Sequence, residues 1–189
     1  MKFFKQNSYD ITKLFIYQIG MTVFGLILSF ASIMSKNGAK NGLTLAFGIF
    51  SACFYLYLIY AVMWDLGSKD KIRVDSGRKA ADKLHGVKLM LVAQVPNIVI
   101  VALMWAGALL QNTNESLSSM LYGIGHPIAI FIQGMYLGIV SQFTTKEAML
   151  LNALMYTLTI LPAVLASGVG YILGLKDIRF LTSPYAPKE

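Results

Sequence analysis

Five long apolar segments, separated by short polar stretches, dominate the pattern of this chain. They cover residues 11–34, 43–66, 86–110, 120–142 and 148–173. A helix needs about 20 residues to cross a hydrocarbon layer of about 30 Å, and each segment has that length. Only helices and closed barrels satisfy their backbone inside a bilayer, and barrel strands are alternating segments of about 10 residues. The pattern therefore predicts an all-α fold, a polytopic integral membrane helical bundle with about five transmembrane helices.

The polar stretches leave no room for a separate soluble domain. The longest interior one is the loop 67–85, and a short tail, 174–189, follows the last apolar segment. We therefore predict a single membrane domain over residues 1–189. The composition agrees, because 56% of the residues are hydrophobic and only 13% are charged. Soluble proteins have about twice that share of charged residues.

The distribution of lysine and arginine predicts a cytoplasmic N-terminus. Cytoplasmic loops of membrane proteins carry an excess of these residues. With five crossings, eleven of the 16 lysines and arginines fall on the side of the N-terminus. The same rule explains the formal net charge of +7 without a nucleic acid partner. The regular apolar segments indicate a cell membrane, and we expect the bacterial cytoplasmic membrane.

Segment 120–142 leaves two topologies open. Lys176 and Arg179 directly follow the last apolar segment, which is typical of a cytoplasmic end. A fourth segment that enters and returns on one side would place this tail in the cytoplasm. Its glycines and the pair His126 and Pro127 fit such a turn. Because irregular backbone at membrane depth must be shielded, we predict five full crossings and retain the re-entrant segment as the alternative.

A few uncharged polar residues within the apolar segments form the candidate site. No Asp, Glu, Lys or Arg lies at the centre of a segment, which argues against a carboxylate proton relay. The polar residues either make interhelical hydrogen bonds beside kinks or line a small polar cavity for an uncharged or weakly charged solute. The cavity hypothesis assigns the lining to Gln94, Asn97, His126, Gln133 and Asn152.

Small residues at four-residue spacing predict the faces at which the helices pack. Within lipid, helices associate through close contact of their backbones, which glycine and alanine permit. The predicted packing residues are Gly134 and Gly138 in the fourth segment and Ala166, Gly170 and Gly174 in the fifth.

The loop 67–85 is the most informative polar stretch. Its charges are mixed in sign, which favours local pairing, and Ser76 is a candidate N-cap of a short helix. Cations beside a membrane attract anionic headgroups by about 1 kcal/mol each. We expect the loop to contact anionic lipid headgroups or to dock a cytoplasmic or membrane protein partner. Its candidate contact residues are Lys69, Lys71, Arg73, Arg78, Lys79 and Lys83.

The sequence predicts no catalytic, cofactor-binding or metal site. The single cysteine, Cys53, is expected to be a buried and inert residue. A nucleophile at Ser167 would need His126 beside it in a water-filled cavity. Asp82 and His85 are too few ligands for a metal ion. We therefore expect a protein that is not an enzyme and has no cofactor.

Two functions remain open, and we favour the first. In the first, the protein is a small transport-related membrane subunit with a polar midplane site for a small solute and a basic loop that docks a partner. In the second, it is a non-catalytic membrane scaffold or accessory assembly protein, whose polar residues only stabilise the bundle.

Overall fold

The computed structural model describes residues 2–37, 41–145 and 148–178, and these residues contain helices and no strand. A π-helical turn, Ile33–Asn37, extends the second α-helix, and a 3-10 turn, Gly134–Tyr136, joins the sixth to the seventh. The prediction of an all-α fold is confirmed. The α-helices of the described residues are α1 (Lys2–Gln6), α2 (Ser8–Ser32), α3 (Gly42–Asp75), α4 (His85–Ala93), α5 (Val95–Leu110), α6 (Glu115–Ile132), α7 (Leu137–Phe143), α8 (Met149–Leu158) and α9 (Ile160–Leu175).

Three helical stretches are long and apolar enough to cross a membrane unaided, namely Ser8–Ser35, Gly42–Asp75 and Met149–Leu175. Two bent pairs of helices pass the same test when each pair is taken together. The axis bends by 56° between α4 and α5 and by 80° between α6 and the stretch that ends with α7. The described residues thus provide three to five candidate spans, which is compatible with a membrane protein.

The bend between α4 and α5 lies at Gln94, two residues before Pro96. Proline has no backbone N–H, and its ring displaces the carbonyl four residues earlier, so the helix breaks here. Pro96 then lies in the first turn of α5. Backbone N–H groups in a first turn have no partner within the helix, so the N–H that proline lacks costs no hydrogen bond there. The break turns the Gln94 side chain into the bundle, where it is 1% exposed.

The start of the chain, the start of α4 and the end of α9 meet at one end of the bundle, called here the basic end. The His85 ring lies 5.7 Å from the Phe3 ring and 5.4 Å from the Tyr171 ring, measured between centroids. The indole N–H of Trp64 donates to the carbonyl of Ile178 at 2.8 Å. Residues 3 and 178 therefore lie at the same end of the molecule.

Helices α3 and α9 run parallel along much of their length. A methyl group built on Gly170 would lie 2.6 Å from the carbonyl oxygen of Tyr60, and one built on Gly174 would overlap the carbonyl of Trp64. The predicted packing residues of the last segment thus lie against α3. Ala166 is partly buried and packs on the same core. The absence of side chains at the glycines is what lets these two backbones touch.

Residues 115–143 form a hairpin that begins at the opposite end of the bundle. Helix α6 starts beside the end of α5, where the Ser118 hydroxyl donates to the carbonyl of Gly107 at 2.7 Å. It then runs toward the middle of the bundle. At the bend, the carbonyl of Ile132 accepts a hydrogen bond from the hydroxyl of Thr22, halfway along α2, at 2.7 Å.

From the bend the chain returns to the end at which α6 began. Gly134 packs on Leu26 of α2, and Gly138 packs on Gly48 and Thr44 at the start of α3. Segment 120–142 is therefore bent by 80° and is not one straight helix, a shape shared by a broken span and by the re-entrant alternative. The physical reason is the lack of side chains at 134 and 138, which lets α2 and α3 shield the irregular backbone.

Helix α3 continues nine residues beyond the predicted end at Leu66, to Asp75. Most residues of this extension are polar, so an apolar pattern does not include them. They are nevertheless compatible with a helix, because Lys69 pairs with Asp65 one turn earlier at 2.6 Å. About the first half of the predicted loop, residues 67–75, is thus helical.

This helix ends at a residue with a left-handed backbone conformation, and the loop that follows covers only residues 76–84. Gly77 has a φ of 72°, and the N–H of Arg78 bonds to the carbonyl of Arg73 at 2.9 Å. Glycine adopts this conformation readily, and the bond is the one that closes many helix C-termini. The short helix predicted to begin at Ser76 does not form.

Candidate functional site

The five residues of the predicted cavity lie in two places. His126 and Asn152 line a pocket near the end of the bundle where the hairpin begins and ends, called here the polar pocket. Gln94 and Asn97 are buried at the break between α4 and α5, and Gln133 is buried at the bend of the hairpin. Tyr55, which bonds to Gln94, contacts Tyr136 beside that bend. The structure therefore separates the predicted lining into an open pocket and a buried group, called here the central cluster.

The polar pocket is open and has a volume of about 290 Å³. Helix α6 contributes two aromatic rings, the connection after α7 contributes two hydroxyl groups, and α8 contributes one amide. None of these side chains carries a full charge when the histidine is neutral. The lining residues are Tyr122, His126, Thr144, Thr145 and Asn152.

Asn152 joins the two sides of the pocket. Its amide nitrogen donates to the hydroxyl of Tyr122 at 2.9 Å and to the carbonyl of Thr145 at 2.7 Å. Its amide oxygen accepts from the N–H of Thr145 at 3.2 Å. Asn152 thus holds α8 to α6 and fixes the connection between α7 and α8, so it shapes the pocket wall.

His126 presents its imidazole to the pocket without a hydrogen-bond partner among residues 2–37, 41–145 and 148–178. Its ring stacks on Tyr122, with centroids 5.4 Å apart and planes at 16°, and meets the edge of Tyr156 at 5.8 Å. Aromatic contacts therefore orient the ring. One imidazole nitrogen can donate and the other can accept a hydrogen bond from an occupant of the pocket.

The central cluster is a set of amides and hydroxyls contributed by several helices. The amide of Gln94 donates to the hydroxyl of Tyr55 at 3.4 Å, and Asn97 donates to the side-chain oxygen of Gln94. On the other side of the bend, the hydroxyl of Thr159 donates to the side-chain oxygen of Gln133. Gln94 and Asn97 thus bond to each other, and Gln133 bonds to a residue the sequence pattern did not single out.

Several buried polar atoms around the bend have no hydrogen-bond partner in the described part of the chain. A buried donor or acceptor without a partner costs about 1–3 kcal/mol, and native proteins pair nearly all of them. These atoms therefore have capacity for hydrogen bonds to a small polar occupant. They are Gln18 Oε1, Ser51 Oγ, Asn97 Oδ1, Gln133 Nε2 and Tyr136 Oη.

A line of contacts connects the polar pocket with the central cluster. The ring of His126 contacts the ring of Tyr156. The backbone carbonyl of Tyr156 accepts a hydrogen bond from the hydroxyl of Thr159 at 2.8 Å. The same hydroxyl contacts Gln133 at the bend. Sequence reasoning missed Tyr156 and Thr159, because tyrosine and threonine are common in apolar helices. Tyr156 and Thr159 follow Asn152 by four and seven residues, at the end of α8 and just after it, and this helical spacing was the signal that they share its face.

At the basic end, the loop is tied to the bundle by a buried carboxylate. Asp70 is 1% exposed, and its oxygens accept hydrogen bonds from Lys79, from Arg73 at 3.1 Å and from the hydroxyl of Tyr171 at 2.8 Å. These partners come from the loop, α3 and α9. Asp70 therefore joins three parts of the chain, and its partners offset the cost of burying its charge.

Most of the predicted loop contact residues are engaged in ion pairs within the protein. Lys69 pairs with Asp65 and Lys71 with Asp177, the latter at 3.6 Å. Arg73 and Lys79 pair with Asp70. Of the six predicted residues, Arg78 and Lys83 make no ion pair with the described residues, and both are exposed. These two remain available to a partner.

The reactive residues considered in the sequence have other roles in the structure. The Ser167 hydroxyl donates to the carbonyl of Gly86 at 2.6 Å, in a helix contact at the end opposite to His126. Cys53 is exposed and not buried as expected, since it lies on the outer face of α3. The carboxylate of Asp82 accepts a hydrogen bond from Lys88 at 2.8 Å, which lowers the pKa of that carboxyl. Within the described residues, no three His, Cys, Asp or Glu side chains are grouped as metal ligands.

Comparisons with known proteins identified no relative of this chain. No protein-family model matches the chain, and no match was found among curated proteins or solved structures.

Proposed function

We propose that this protein is a small transport-related membrane subunit whose polar pocket binds a small, uncharged polar solute. The observation that carries the proposal is His126, whose imidazole faces an open pocket of about 290 Å³ without a hydrogen-bond partner in the described residues. The lining contains amide, hydroxyl and imidazole groups and no carboxylate or ammonium. Such groups bind neutral hydroxyl, amide or carbonyl functions by hydrogen bonds.

The central cluster extends this proposal from binding to passage. Its unpaired amide and hydroxyl atoms lie at the bend of the hairpin, and Tyr156 and Thr159 connect them to the pocket. Broken helices that bring polar backbone to the middle of a bilayer are typical of transporter sites. A solute that leaves the pocket would exchange one set of neutral hydrogen bonds for another at the bend.

The proposal includes a topology in a cell membrane. The basic end faces the cytoplasm, four segments cross the bilayer, and the hairpin enters and leaves from outside. The positive-inside rule supports this orientation, because the loop 76–84 and Lys176 lie at the basic end. Lys146, Arg179 and Lys188, which also bear on the rule, lie outside the described residues.

Cysteine labelling tests the topology. In a Cys53→Ser background, Thr113→Cys and Thr145→Cys are expected to react with a membrane-impermeant maleimide from the same side of sealed vesicles. Ser76→Cys should react only from the other side. The physical reason is that the hairpin returns to the end at which it starts. Labelling of Thr113→Cys and Thr145→Cys from opposite sides would show five crossings.

Replacing His126 with leucine tests the solute site. We expect wild-type protein, purified in mild detergent, to retain a small molecule detectable by mass spectrometry of the extract. His126→Leu should retain about tenfold less, the value of one lost hydrogen bond of about 1.4 kcal/mol. The fold should survive, because the ring makes no hydrogen bond with the described residues and its aromatic contacts can be replaced by apolar ones.

Gln111→Leu is the matched control for this measurement. Gln111 is an exposed polar residue in the turn after α5, at the same end of the bundle but not in the lining. The control is expected to retain as much of the small molecule as the wild type. A wild type that retains nothing, or equal retention in His126→Leu, contradicts the proposed site.

A scaffold or assembly role is the second candidate, and the exposed pair Arg78 and Lys83 favours it. Charge reversal at these two residues should abolish capture of a partner protein if the loop docks one. Reversal at Arg73 or Lys79 does not test docking, because both side chains bind Asp70 and their loss would disturb the fold. Unchanged capture by Arg78→Glu with Lys83→Glu would count against the scaffold.

A further inference from the structure

A groove at the basic end carries three lysines on an apolar floor. It lies between α3, the loop 76–84 and the end of α9, has a volume of about 180 Å³ and is called here the lysine groove. Each lysine comes from a different part of the chain: Lys71 from α3, Lys83 from the loop and Lys176 from the end of α9. Ile172 and Leu175 contribute apolar surface.

The charges of the groove favour an anion. Asp75 lines the groove and Asp177 lies beside Lys71, so three ammonium groups are balanced by two carboxylates and the groove keeps a net positive charge. Lys71 is also 3.6 Å from Asp177, too far for a direct hydrogen bond, so its ammonium can still turn to a ligand. Lys83 and Lys176 are exposed and make no ion pair with the described residues. Two of the three ammonium groups are therefore not held in an ion pair with the described residues.

The depth of the groove matches the headgroup layer of a bilayer. Lys71 lies five residues beyond Leu66, the end of the apolar segment, which is about 7.5 Å along a helix. The headgroup region of a bilayer is about 5–8 Å thick on each side. The ammonium groups thus lie at the level of lipid phosphates. The apolar side chains of Ile172 and Leu175 lie beside them, where a lipid has its glycerol and first acyl carbons.

We propose that the lysine groove binds one anionic phospholipid, with its phosphate on the three lysines and an acyl chain along Ile172 and Leu175. The apolar floor is what selects a lipid over free phosphate, which would gain nothing from it. The site is separate from the polar pocket, which lies at the other end of the bundle. A lipid here bridges α3, the loop and α9, and so adds to the contact that Asp70 makes among them.

Native mass spectrometry in detergent tests the site with phosphatidylglycerol and phosphatidylcholine as probes. Wild-type protein is expected to retain one phosphatidylglycerol in preference to phosphatidylcholine. Removing two charges with Lys83→Gln and Lys176→Gln should lower this preference by about fivefold per lysine, the factor for about 1 kcal/mol per cation. Lys5→Gln with Arg78→Gln removes two charges at the same end but not in the groove, and should change the preference by less than twofold.

Two outcomes would overturn the proposal. Equal losses in the groove variant and the control variant would mean a diffuse attraction of lipids to the whole basic end. Displacement of phosphatidylglycerol by excess inorganic phosphate would mean that the acyl chain contributes nothing. If the double groove variant does not fold, Lys83→Gln alone should still lose about fivefold, and an unchanged preference in that variant would equally reject the site.

Discussion

Replacing Gly174 with alanine is expected to lower the melting temperature of the purified protein by about 10 °C, through overpacking that costs about 3 kcal/mol. The added methyl group would overlap the carbonyl oxygen of Trp64 and lie 3.0 Å from the Cα of Gly67. Both of these neighbours are backbone atoms, so no side chain can rotate away. The α3 and α9 backbones would have to separate along the contact that joins them.

Gly20→Ala is the matched control for this prediction. Gly20 also lies inside a long helix, but no atom outside the adjoining backbone of that helix lies within 4 Å of a methyl group built on it. Alanine there should raise stability by up to about 1 kcal/mol, because it is the better helix former. Thermal unfolding followed by light scattering or by dye binding compares the two variants. Equal melting temperatures for Gly174→Ala and the wild type would show that α3 and α9 are not packed as described.

Replacing Lys79 with methionine is expected to destabilise the protein by about 2 kcal/mol. The variant leaves the carboxylate of Asp70 buried with Arg73 and Tyr171 but without the ammonium of Lys79. Because the Lys79 side chain is 30% exposed, solvent screens part of the interaction, and the loss is smaller than for a fully buried pair. The melting temperature should fall by about 4–8 °C.

The neighbouring substitution Arg78→Met serves as the control. It removes the same charge from the same loop, but Arg78 is exposed and makes no ion pair with the described residues. Its effect on stability should stay within about 0.5 kcal/mol. Limited proteolysis of the loop provides a second measure, since release of the loop from Asp70 should speed cleavage in Lys79→Met alone. Equal cleavage rates in the two variants would contradict the role assigned to Asp70.

The apolar pattern predicted the helices well because membrane length and backbone satisfaction leave few other structures for such segments. The pattern did not predict whether each segment runs through the bundle as one straight helix or bends within it. Segment 120–142 is long enough to cross, and its hairpin shape depends on Gly134 and Gly138 fitting against Leu26 and Gly48. Those contacts join parts of the chain about 90–110 residues apart, and no local pattern reports them.

Two of the five residues of the predicted cavity line one pocket, and the other three lie elsewhere in the bundle. His126 and Asn152 do share a pocket, because both are polar residues on apolar helices that meet. The sequence did not distinguish Gln94 and Asn97 from these two residues, because the polarity of a side chain does not indicate its depth in the bundle. Tyr122 completes the pocket through its hydroxyl, but tyrosine also lies at membrane interfaces without any binding role, so its type alone was no signal.

The parallel packing of α3 and α9 has a consequence for how the protein is made. In the topology proposed above, two helices that follow each other can pair once both are inserted, but a parallel pair needs a further crossing of the membrane between them. Gly67 meets Gly174 only after more than a hundred further residues have been synthesised. Until then the contact face of α3 has no partner in the chain. In the membrane topology proposed above, a chain whose last helix is missing or faulty would leave that face of α3 exposed to lipid.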